Sequence, residues 1–192
     1  MMEENDQSDL NLEEIPEEFH NHEGNVFNHC IMCGCDLFES GEDYFIERCI
    51  KKYKEYDKQD VIYEYATCST CAEKMRKSMS VESLQRIEQY MFTHLTQNIQ
   101  RIRMNKDEKM STCFIHGTPV EDMQEFTIQA HCRGNKLVNA VFPILIGEKA
   151  KEEMSELLSA KTKDEMDDFM DQYFTGPPEI REILRKRKVV II

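Results

Sequence analysis

The sequence predicts an α+β fold made of two similar modules, and three observations carry this prediction. Both halves of the chain have the same order of parts: a cysteine-bearing turn, a strand, a loop, a second strand and two helices. The first half contains two Cys-x2-Cys pairs separated by a segment long enough for a hairpin. Amphipathic stretches follow in both halves, so we expect the modules to pack through their long helices.

Four segments are expected along the chain. Residues 1–24 hold nine acidic side chains and no Lys or Arg, which predicts an acidic tail that is disordered or loosely docked. The first module should span 25–105 and the second 110–176. Residues 177–192 should form a C-terminal helix, begun by a Gly-Pro-Pro stop signal, and a short apolar tail.

In the first half, two aromatic and β-branched runs, 44–50 and 61–68, predict strands on either side of a charged loop, 51–60. Ser80 should cap a long helix, with Glu82 near its positive end. The apolar face of that helix recurs every three or four residues: Leu84, Ile87, Met91, Leu95, Ile99 and Ile102.

The second half repeats this pattern with shorter connections. Residues 105–112 are expected to be a linker, and 125–132 and 136–142 to be strands. A helix is expected over 148–158, and the capping-box pattern Thr162–Glu165 precedes another.

Composition limits the class of protein. The net charge is −13, and no window is long and apolar enough to span a membrane. The acidic N-terminus lacks the features of a signal peptide, so we expect a cytoplasmic protein. Eight cysteines in a reducing compartment favour metal binding or reactive thiols over disulfides. No phosphate-binding glycine loop, HExxH motif or nucleophile elbow is present, which argues against an enzyme.

Four cysteines have the spacing of a tetrahedral metal site. Cys30 and Cys33 share one turn, and Gly34 allows the backbone to curl so that its amides point toward the sulfurs. Cys68 and Cys71 form the second pair at the start of a helix, whose N-terminus stabilises thiolates. These four residues predict a structural Zn²⁺ site.

Other chemistries use similar patterns. A thioredoxin-like redox site needs only one Cys-x2-Cys pair, in a βαβ setting, and leaves the second pair without a role. A rubredoxin-like iron site has both pairs in glycine-bearing turns, whereas the second pair here leads directly into a helix. Cysteine count alone does not distinguish zinc from iron–sulfur ligation.

A knuckle, a hairpin and a helix that carries the last two ligands together resemble the treble-clef and zinc-ribbon-like zinc fingers. The resemblance covers about 28–79, and about 112–158 in degenerate form. It implies two pseudo-repeated treble-clef-like modules, the first zinc-binding and the second degenerate. This sequence departs from the family pattern in its long hairpin loop and in the second module, which lacks helix-borne ligands. The family includes interaction, nucleic-acid-binding and catalytic members, so the resemblance does not decide function.

The second module keeps only part of the pattern. Cys113-x2-His116-Gly117 matches the first turn, and we align Ile144-x2-Gly147 with the second cysteine pair. In the strands, Cys49 aligns with Cys132. The missing metal is expected to be replaced by apolar packing, with Ile144 and Ile146 as the filling side chains.

Several further residues are candidate ligands. His29 is interpreted as a neighbour of the first turn, and Cys35 as an alternative to Cys33. Cys49 should be a small buried hydrophobic residue. A second metal site would need Cys113, His116, His131 and Cys132. His131 and Cys132 are adjacent on a strand, so their side chains should point to opposite faces.

We expect a non-enzymatic, zinc-stabilised scaffold that binds protein partners, because four cysteines close the metal site and leave no open position. The alternative is nucleic-acid binding, with Tyr53 and Tyr56 available for stacking, although the acidic net charge disfavours it. A less favoured alternative is a thiol-dependent enzyme using His116 with Cys113 or Cys132. The basic residues of the nucleic-acid alternative are Lys51, Lys52, Lys54, Lys74, Arg76, Lys77, Arg101 and Arg103.

Overall fold

The computed structural model describes residues 11–98, 100 and 103–174. The first ten residues of the predicted acidic tail and the predicted C-terminal helix at 177–192 lie outside this range, as do Ile99 and Ile102. Within it, every helix is too short or too polar to cross a membrane.

The described residues form a mixed α+β structure. Its strands are β1 (Leu12–Glu14), β2 (Asp43–Tyr53), β3 (Lys58–Cys68), β4 (Glu125–Arg133), β5 (Lys136–Val138) and β6 (Ile144–Gly147). Its α-helices are α1 (Ser69–Ser78), α2 (Val81–Gln97), α3 (Lys106–Ser111), α4 (Glu148–Glu156) and α5 (Ala160–Tyr173). Two short 3₁₀ helices, Glu17–Phe19 and Val120–Asp122, complete the elements.

All six strands join one antiparallel sheet. The order is β1-β5-β4-β2-β3, and β6 also pairs with β4. The two long strands β2 and β4 lie side by side, from the Asp43–Arg133 pair to the Lys51–Glu125 pair. The sheet is therefore continuous between the two halves of the chain, which we expected to meet through their helices.

Part of the acidic N-terminal segment pairs with the sheet, so this part is docked rather than disordered. Residues of β1 pair with β5, from Leu12–Val138 to Glu14–Lys136. Ile15 and Phe19 are buried, and Phe19 has no exposed surface. The guanidinium of the buried Arg48 bonds to the Glu18 carbonyl, which fixes the chain beside the sheet. Glu14, Glu17 and Glu18 are exposed, and the two apolar residues attach the segment to the sheet.

Two boundaries differ from the prediction, one because of local capping and the other because of strand pairing. The expected linker 105–112 contains α3, because the Asn105 side chain accepts from the Glu108 amide and Glu108 returns a bond to the Asn105 amide. The expected loop 51–60 is shorter in the structure, since β2 and β3 continue pairing as far as Tyr53 and Lys58.

Apolar side chains form two clusters. The larger one contains alternate residues of the central strands, including Ile46 and Ile128, with Met154 of α4. The smaller one contains Cys49 of β2 and Phe169 of α5. Because successive strand residues face opposite sides, both faces of the sheet centre are covered.

Phe19→Ala tests whether the N-terminal segment belongs to the core. The change removes a fully buried ring and should lower the free energy of unfolding by about 3–5 kcal/mol. Urea denaturation measures this value. Phe92→Ala is the matched control, because Phe92 is 68% exposed and its loss should change stability by less than about 0.5 kcal/mol. Equal effects of the two changes would contradict the anchoring role.

Candidate metal centre

The first cysteine turn is a tight reversal stabilised by its own backbone. The Gly34 amide donates to the Cys30 carbonyl (2.9 Å), and the Cys30 amide donates to the Cys35 carbonyl (3.0 Å). Gly34 has φ of 71°, a conformation that side chains with a Cβ rarely adopt. His29 and Asp36 close the turn by an antiparallel bridge. The sequence pattern Cys-x2-Cys-Gly predicted this reversal.

The second pair is brought to the first by the hairpin. The Ile31 amide donates to the Ala66 carbonyl (2.9 Å), which attaches the turn to the end of β3. Cys68 is the N-cap residue of α1, and Cys71 lies in the first turn of that helix. The Cys68 amide also donates to the Cys30 sulfur at 3.4 Å. The helix N-terminus therefore faces the thiols of the first turn.

The four predicted cysteines assemble into one cluster. The Sγ atoms of Cys30, Cys33, Cys68 and Cys71 all lie within 4.8 Å of one another. The Cys33 and Cys68 sulfurs are 3.8 Å apart. A tetrahedral site with metal–sulfur bonds of about 2.3 Å has sulfur–sulfur edges of about 3.8 Å. The residues therefore fit a four-coordinate metal ion, and all four cysteines are free of disulfides.

The four thiols differ in their surroundings. Cys30, Cys68 and Cys71 are buried, whereas Cys33 is exposed. The backbone amide of Cys35 donates to the Cys33 sulfur and lowers the pKa of this thiol to about 6. Burial raises the pKa values of Cys68 and Cys71. A bound cation would compensate these buried thiolates, which is the chemistry of a structural metal site.

His29 and Cys35 lie outside the four-residue cluster. His29 is exposed and its ring bonds to the Asn28 side chain (2.9 Å). Cys35 is half-buried beside Cys33 and Cys68, and burial raises the pKa of its thiol to about 12. The interpretation of His29 as a neighbour of the first turn agrees with its position, and Cys33 rather than its alternative Cys35 belongs to the four-sulfur cluster.

The second turn has the same backbone arrangement. The Gly117 amide donates to the Cys113 carbonyl (2.7 Å), and the Cys113 amide donates to the Thr118 carbonyl (2.8 Å). Gly117 has φ of 69°. The Gly147 amide donates to the Cys113 sulfur at 3.4 Å, as the Cys68 amide does to Cys30. Only the ligands differ.

The structure corrects our alignment of the missing ligands. Gly147, not Ile144, occupies the N-cap position of α4 that Cys68 occupies in α1. The residue three positions on is Ala150, which is buried. The thioether sulfur of Met123 lies 3.0 Å from where a Cβ of Gly147 would stand. Met123 therefore fills the space beside Cys113, whereas we expected Ile144 and Ile146 to do so.

The four candidate ligands of a second metal site are not brought together. His116 Nε2 bonds to the Glu153 carboxylate at 2.9 Å. His131 Nε2 bonds to Asp43 at 2.8 Å and is half-buried, whereas Cys132 has no exposed surface. Strand alternation separates them, as predicted. Among the residues that the structure describes, the first cysteine cluster is the one group of at least three such ligand atoms within this range.

Cys49 and Cys132, aligned in the sequence, lie on opposite faces of the sheet. Cys49 pairs with Thr127 and Cys132 pairs with Tyr44. Cys49 is fully buried, as expected, and the Lys151 ammonium lies 3.5 Å from its sulfur. Burial raises the pKa of the Cys132 thiol to about 12, so neither cysteine is an exposed nucleophile.

Sequence reasoning did not identify a polar group around the second turn. Glu153 of α4 accepts from the Tyr90 hydroxyl at 2.7 Å as well as contacting His116. These bonds lower the pKa of the Glu153 carboxyl, with Tyr90 the larger influence. The partners are far apart in sequence, so no local motif could have indicated them.

The basic residues proposed for nucleic-acid binding do not form one free patch. Lys52 donates to the Val120 carbonyl (3.1 Å) and Lys54 to the Asp122 carbonyl (3.4 Å). Arg76 pairs with Glu88, and Lys77 with Glu73. Arg101 lies outside the described residues.

The fold and the site together define an α+β protein with four cysteines positioned to bind one metal ion. Comparison with models of protein families, with curated proteins and with solved structures found no match.

The ligand set can be tested by comparing two cysteine variants. Cys71→Ser should lose bound metal, because it removes one of the four clustered sulfurs. Cys35→Ser should retain one ion per chain, because this thiol lies outside the cluster. Elemental mass spectrometry of the purified proteins measures the stoichiometry. Loss of metal in the Cys35 variant with retention in the Cys71 variant would reverse the assignment.

Proposed function

We propose that this protein is a zinc-stabilised, non-enzymatic scaffold that binds protein partners in the cytoplasm. Support comes mainly from the cluster of Cys30, Cys33, Cys68 and Cys71, whose sulfurs lie within 4.8 Å of one another. Four thiolates complete a tetrahedral zinc site and leave no position for a substrate or a reactive water.

The position of the cluster favours a structural role for the metal. Cys30, Cys68 and Cys71 belong to the larger apolar cluster, where they contact core residues rather than a cleft. The ion would join the first turn to the N-terminus of α1, two segments far apart in sequence. Zinc binding in such sites contributes directly to folding free energy.

We further propose that the chain arose by duplication of a treble-clef-like module. The two turns support this proposal, because Cys30 and Gly34 have counterparts Cys113 and Gly117, 83 residues later in both cases, with matching backbone bonds. Their closing bridges, His29–Asp36 and Thr112–Pro119, have the same spacing.

The central strands also support duplication, in a register different from our sequence alignment. Tyr44 pairs with Cys68, and Phe126 pairs with Gly147, the residue that replaces Cys68. In this register Ile128 is the counterpart of Ile46 in the repeat, and Gln129 is the counterpart of Glu47, 82 residues later in both cases. Glu47 and Gln129 are direct partners in the sheet, as expected for residues on a pseudo-twofold axis.

The helix junctions support it independently. Ser80 caps α2 and Ser159 caps α5, and their hydroxyls are 2.9 Å apart. The Ser80 amide donates to Thr162 Oγ1 (2.9 Å), and the Ser159 amide donates to Ser83 Oγ (2.8 Å). These reciprocal bonds relate residues 79 positions apart, the same interval that relates Cys68 to Gly147.

Protein partners are favoured over nucleic acid. On α2, Phe92 exposes 68% of its surface, and aromatic side chains are enriched in protein interfaces relative to the rest of the surface. The strongly acidic chain disfavours a polyanionic ligand.

Metal removal tests the scaffold proposal. The purified protein should contain one zinc ion per chain, and chelation should lower its melting temperature because the ion joins distant segments. Calorimetry with and without a strong chelator, followed by zinc replacement, measures the effect. A protein that folds identically without bound metal would contradict the proposal, and iron in place of zinc would contradict the choice of metal.

Rebuilding the second site tests the duplication proposal. Gly147→Cys and Ala150→Cys place thiols at the two equivalent helix positions, and Met123→Ala removes the side chain that would clash. With Cys113 and His116 these thiols make a four-ligand set, so the triple variant should bind a second zinc ion.

The control for this experiment adds His116→Ala to the triple variant, which should weaken the second site by removing one ligand. Isothermal titration of the metal-free proteins counts the ions bound. A triple variant that folds and still binds one ion would contradict structural equivalence of the two turns.

A further inference from the structure

Three side chains from three different elements meet between α4 and the sheet. The Nζ atom of Lys151 in α4 lies 3.5 Å from the Sγ atom of Cys49 in β2. Glu125, the first residue of β4, places its Oε1 atom 3.6 Å from the same sulfur and 3.7 Å from the same nitrogen. The three atoms therefore form a compact triangle. Cys49 and Lys151 are 102 residues apart in sequence, so only the fold brings them together.

The surroundings hold this group away from bulk water. Cys49 has no exposed surface, and the side chains of Lys151 and Glu125 are only 11% and 17% exposed. Burial raises the pKa of the Cys49 thiol, and the nearby Lys151 ammonium opposes this effect. The Lys151 Nζ atom also lies 5.8 Å from the centre of the Tyr63 ring, which is a cation–π distance. The lysine is therefore held beside the sulfur instead of extending into solvent.

A buried hydroxyl lies next to the same group. Thr127 is paired with Cys49 across β2 and β4, is 3% exposed, and its hydroxyl has no hydrogen-bond partner among the described residues. Thr127 and Lys151 both line a cavity of about 10 Å³, close to the smallest volume that holds one water molecule. This space is too small for an organic ligand. One oxygen atom joined to the sulfur and the nitrogen needs no more room, and it would give the Thr127 hydroxyl an acceptor.

The distance between the sulfur and the nitrogen favours a link through one atom over a direct bond. At 3.5 Å the two atoms are in contact, and a direct sulfur–nitrogen bond would require a much closer approach. One bridging atom spans most of this distance, and the flexible four-carbon stem of the lysine supplies the remaining movement. Groups held in contact react far more readily than free ones. Cysteine sulfur also accepts oxygen, as the formation of sulfenic acids shows.

We propose that Cys49 and Lys151 are the site of an oxidative modification, in which dioxygen links their Sγ and Nζ atoms through one bridging oxygen atom. The Lys151 ammonium first passes a proton to the Glu125 carboxylate, which lies 3.7 Å from Nζ. The S–H bond, one N–H bond of the amine and the O–O bond then break, and an S–O and an N–O bond form. The second oxygen atom leaves as water with the two hydrogen atoms. Sulfur and nitrogen each lose two electrons, and dioxygen accepts all four.

The bridge would stabilise the contact between α4 and the sheet. It would join β2 covalently to α4 across 102 residues of chain. Cross-links that close long loops stabilise a fold mainly by restricting the unfolded chain. The oxidised protein should therefore melt at a higher temperature than the reduced protein. Cys49 and Lys151 lie outside the four-cysteine cluster, so the modification does not depend on the proposed zinc site.

Peptide mass spectrometry tests the proposal on the full-length, zinc-supplied protein. One sample is kept anaerobic with dithiothreitol, and the other is held in oxygen-saturated buffer. After trypsin digestion the second sample should contain the Cys49 and Lys151 peptides joined together, heavier than their sum by one oxygen atom less two hydrogen atoms. Dithiothreitol should then release them, because four thiol groups supply the four electrons that return the bridge to thiol, amine and water.

Two lysine variants separate the bridge from other oxidation. Lys151→Arg keeps a cation beside Glu125 but removes the amine, so both the linked peptides and the oxygen-dependent rise in melting temperature should be lost. Lys149→Arg changes an exposed lysine of the same helix and should keep both. The two variants retain the cysteine cluster, so the comparison also controls for effects of oxygen and dithiothreitol on bound metal.

Three results would overturn the proposal. The first is a folded native protein whose Cys49 and Lys151 peptides stay unlinked in oxygen, including one in which Cys49 is converted to an unlinked sulfenic or sulfinic acid. The second is a linked pair that has lost two hydrogen atoms without gaining oxygen, which would identify a direct sulfur–nitrogen bond. The third is an equal oxygen-dependent rise in melting temperature in Lys151→Arg.

Discussion

The backbone hydrogen bonds between β2 and β4 join the two halves of the chain at the centre of the sheet. Strand β3 pairs with β2, and strands β5 and β6 pair with β4, whereas β1 pairs with β5. The pairing runs from Asp43–Arg133 to Lys51–Glu125, so it fixes the face of every residue in between. A slip of one residue would exchange Ile46 with Glu47 between the two faces, at great cost in buried polar groups.

That pairing also determines where each cysteine turn lies. The first turn attaches to the end of β3 and the second to β6, and these strands flank the central pair. Each turn meets the N-terminus of a helix, α1 or α4. The same backbone arrangement of turn and helix N-terminus occurs with two different sets of side chains. One half has the thiols of Cys68 and Cys71, and the other has Met123 packed against Gly147. The four-thiol cluster therefore depends on the side chains, whereas the shape of each turn depends on backbone hydrogen bonds and the sheet.

The local parts of the structure were predictable because their causes are local. Cys-x2-Cys-Gly specifies a reversal with a positive-φ glycine. Ser80 caps a helix because its hydroxyl accepts a hydrogen bond from the Ser83 amide, three residues later. The capping box at Asn105 has an equally local cause, but we interpreted that segment as a linker. Phe19 illustrates the opposite case. The nine acidic residues among residues 1–24 predicted a disordered or loosely docked tail, whereas the Phe19 side chain is fully buried beside a sheet that is distant in sequence.

By itself the sequence determined the four cysteines that cluster, the two turns and the amphipathic helices, since each depends on residue type at short spacing. Only the tertiary structure decided the shared sheet, the separation of His116 and His131, and the identity of Met123 as the filling side chain. It also placed Cys49 and Cys132 on opposite faces, because strand register is set by long-range pairing and packing. Long-range contacts leave no periodic signal in a single chain, and the Glu47–Gln129 pair became visible only when β2 and β4 met.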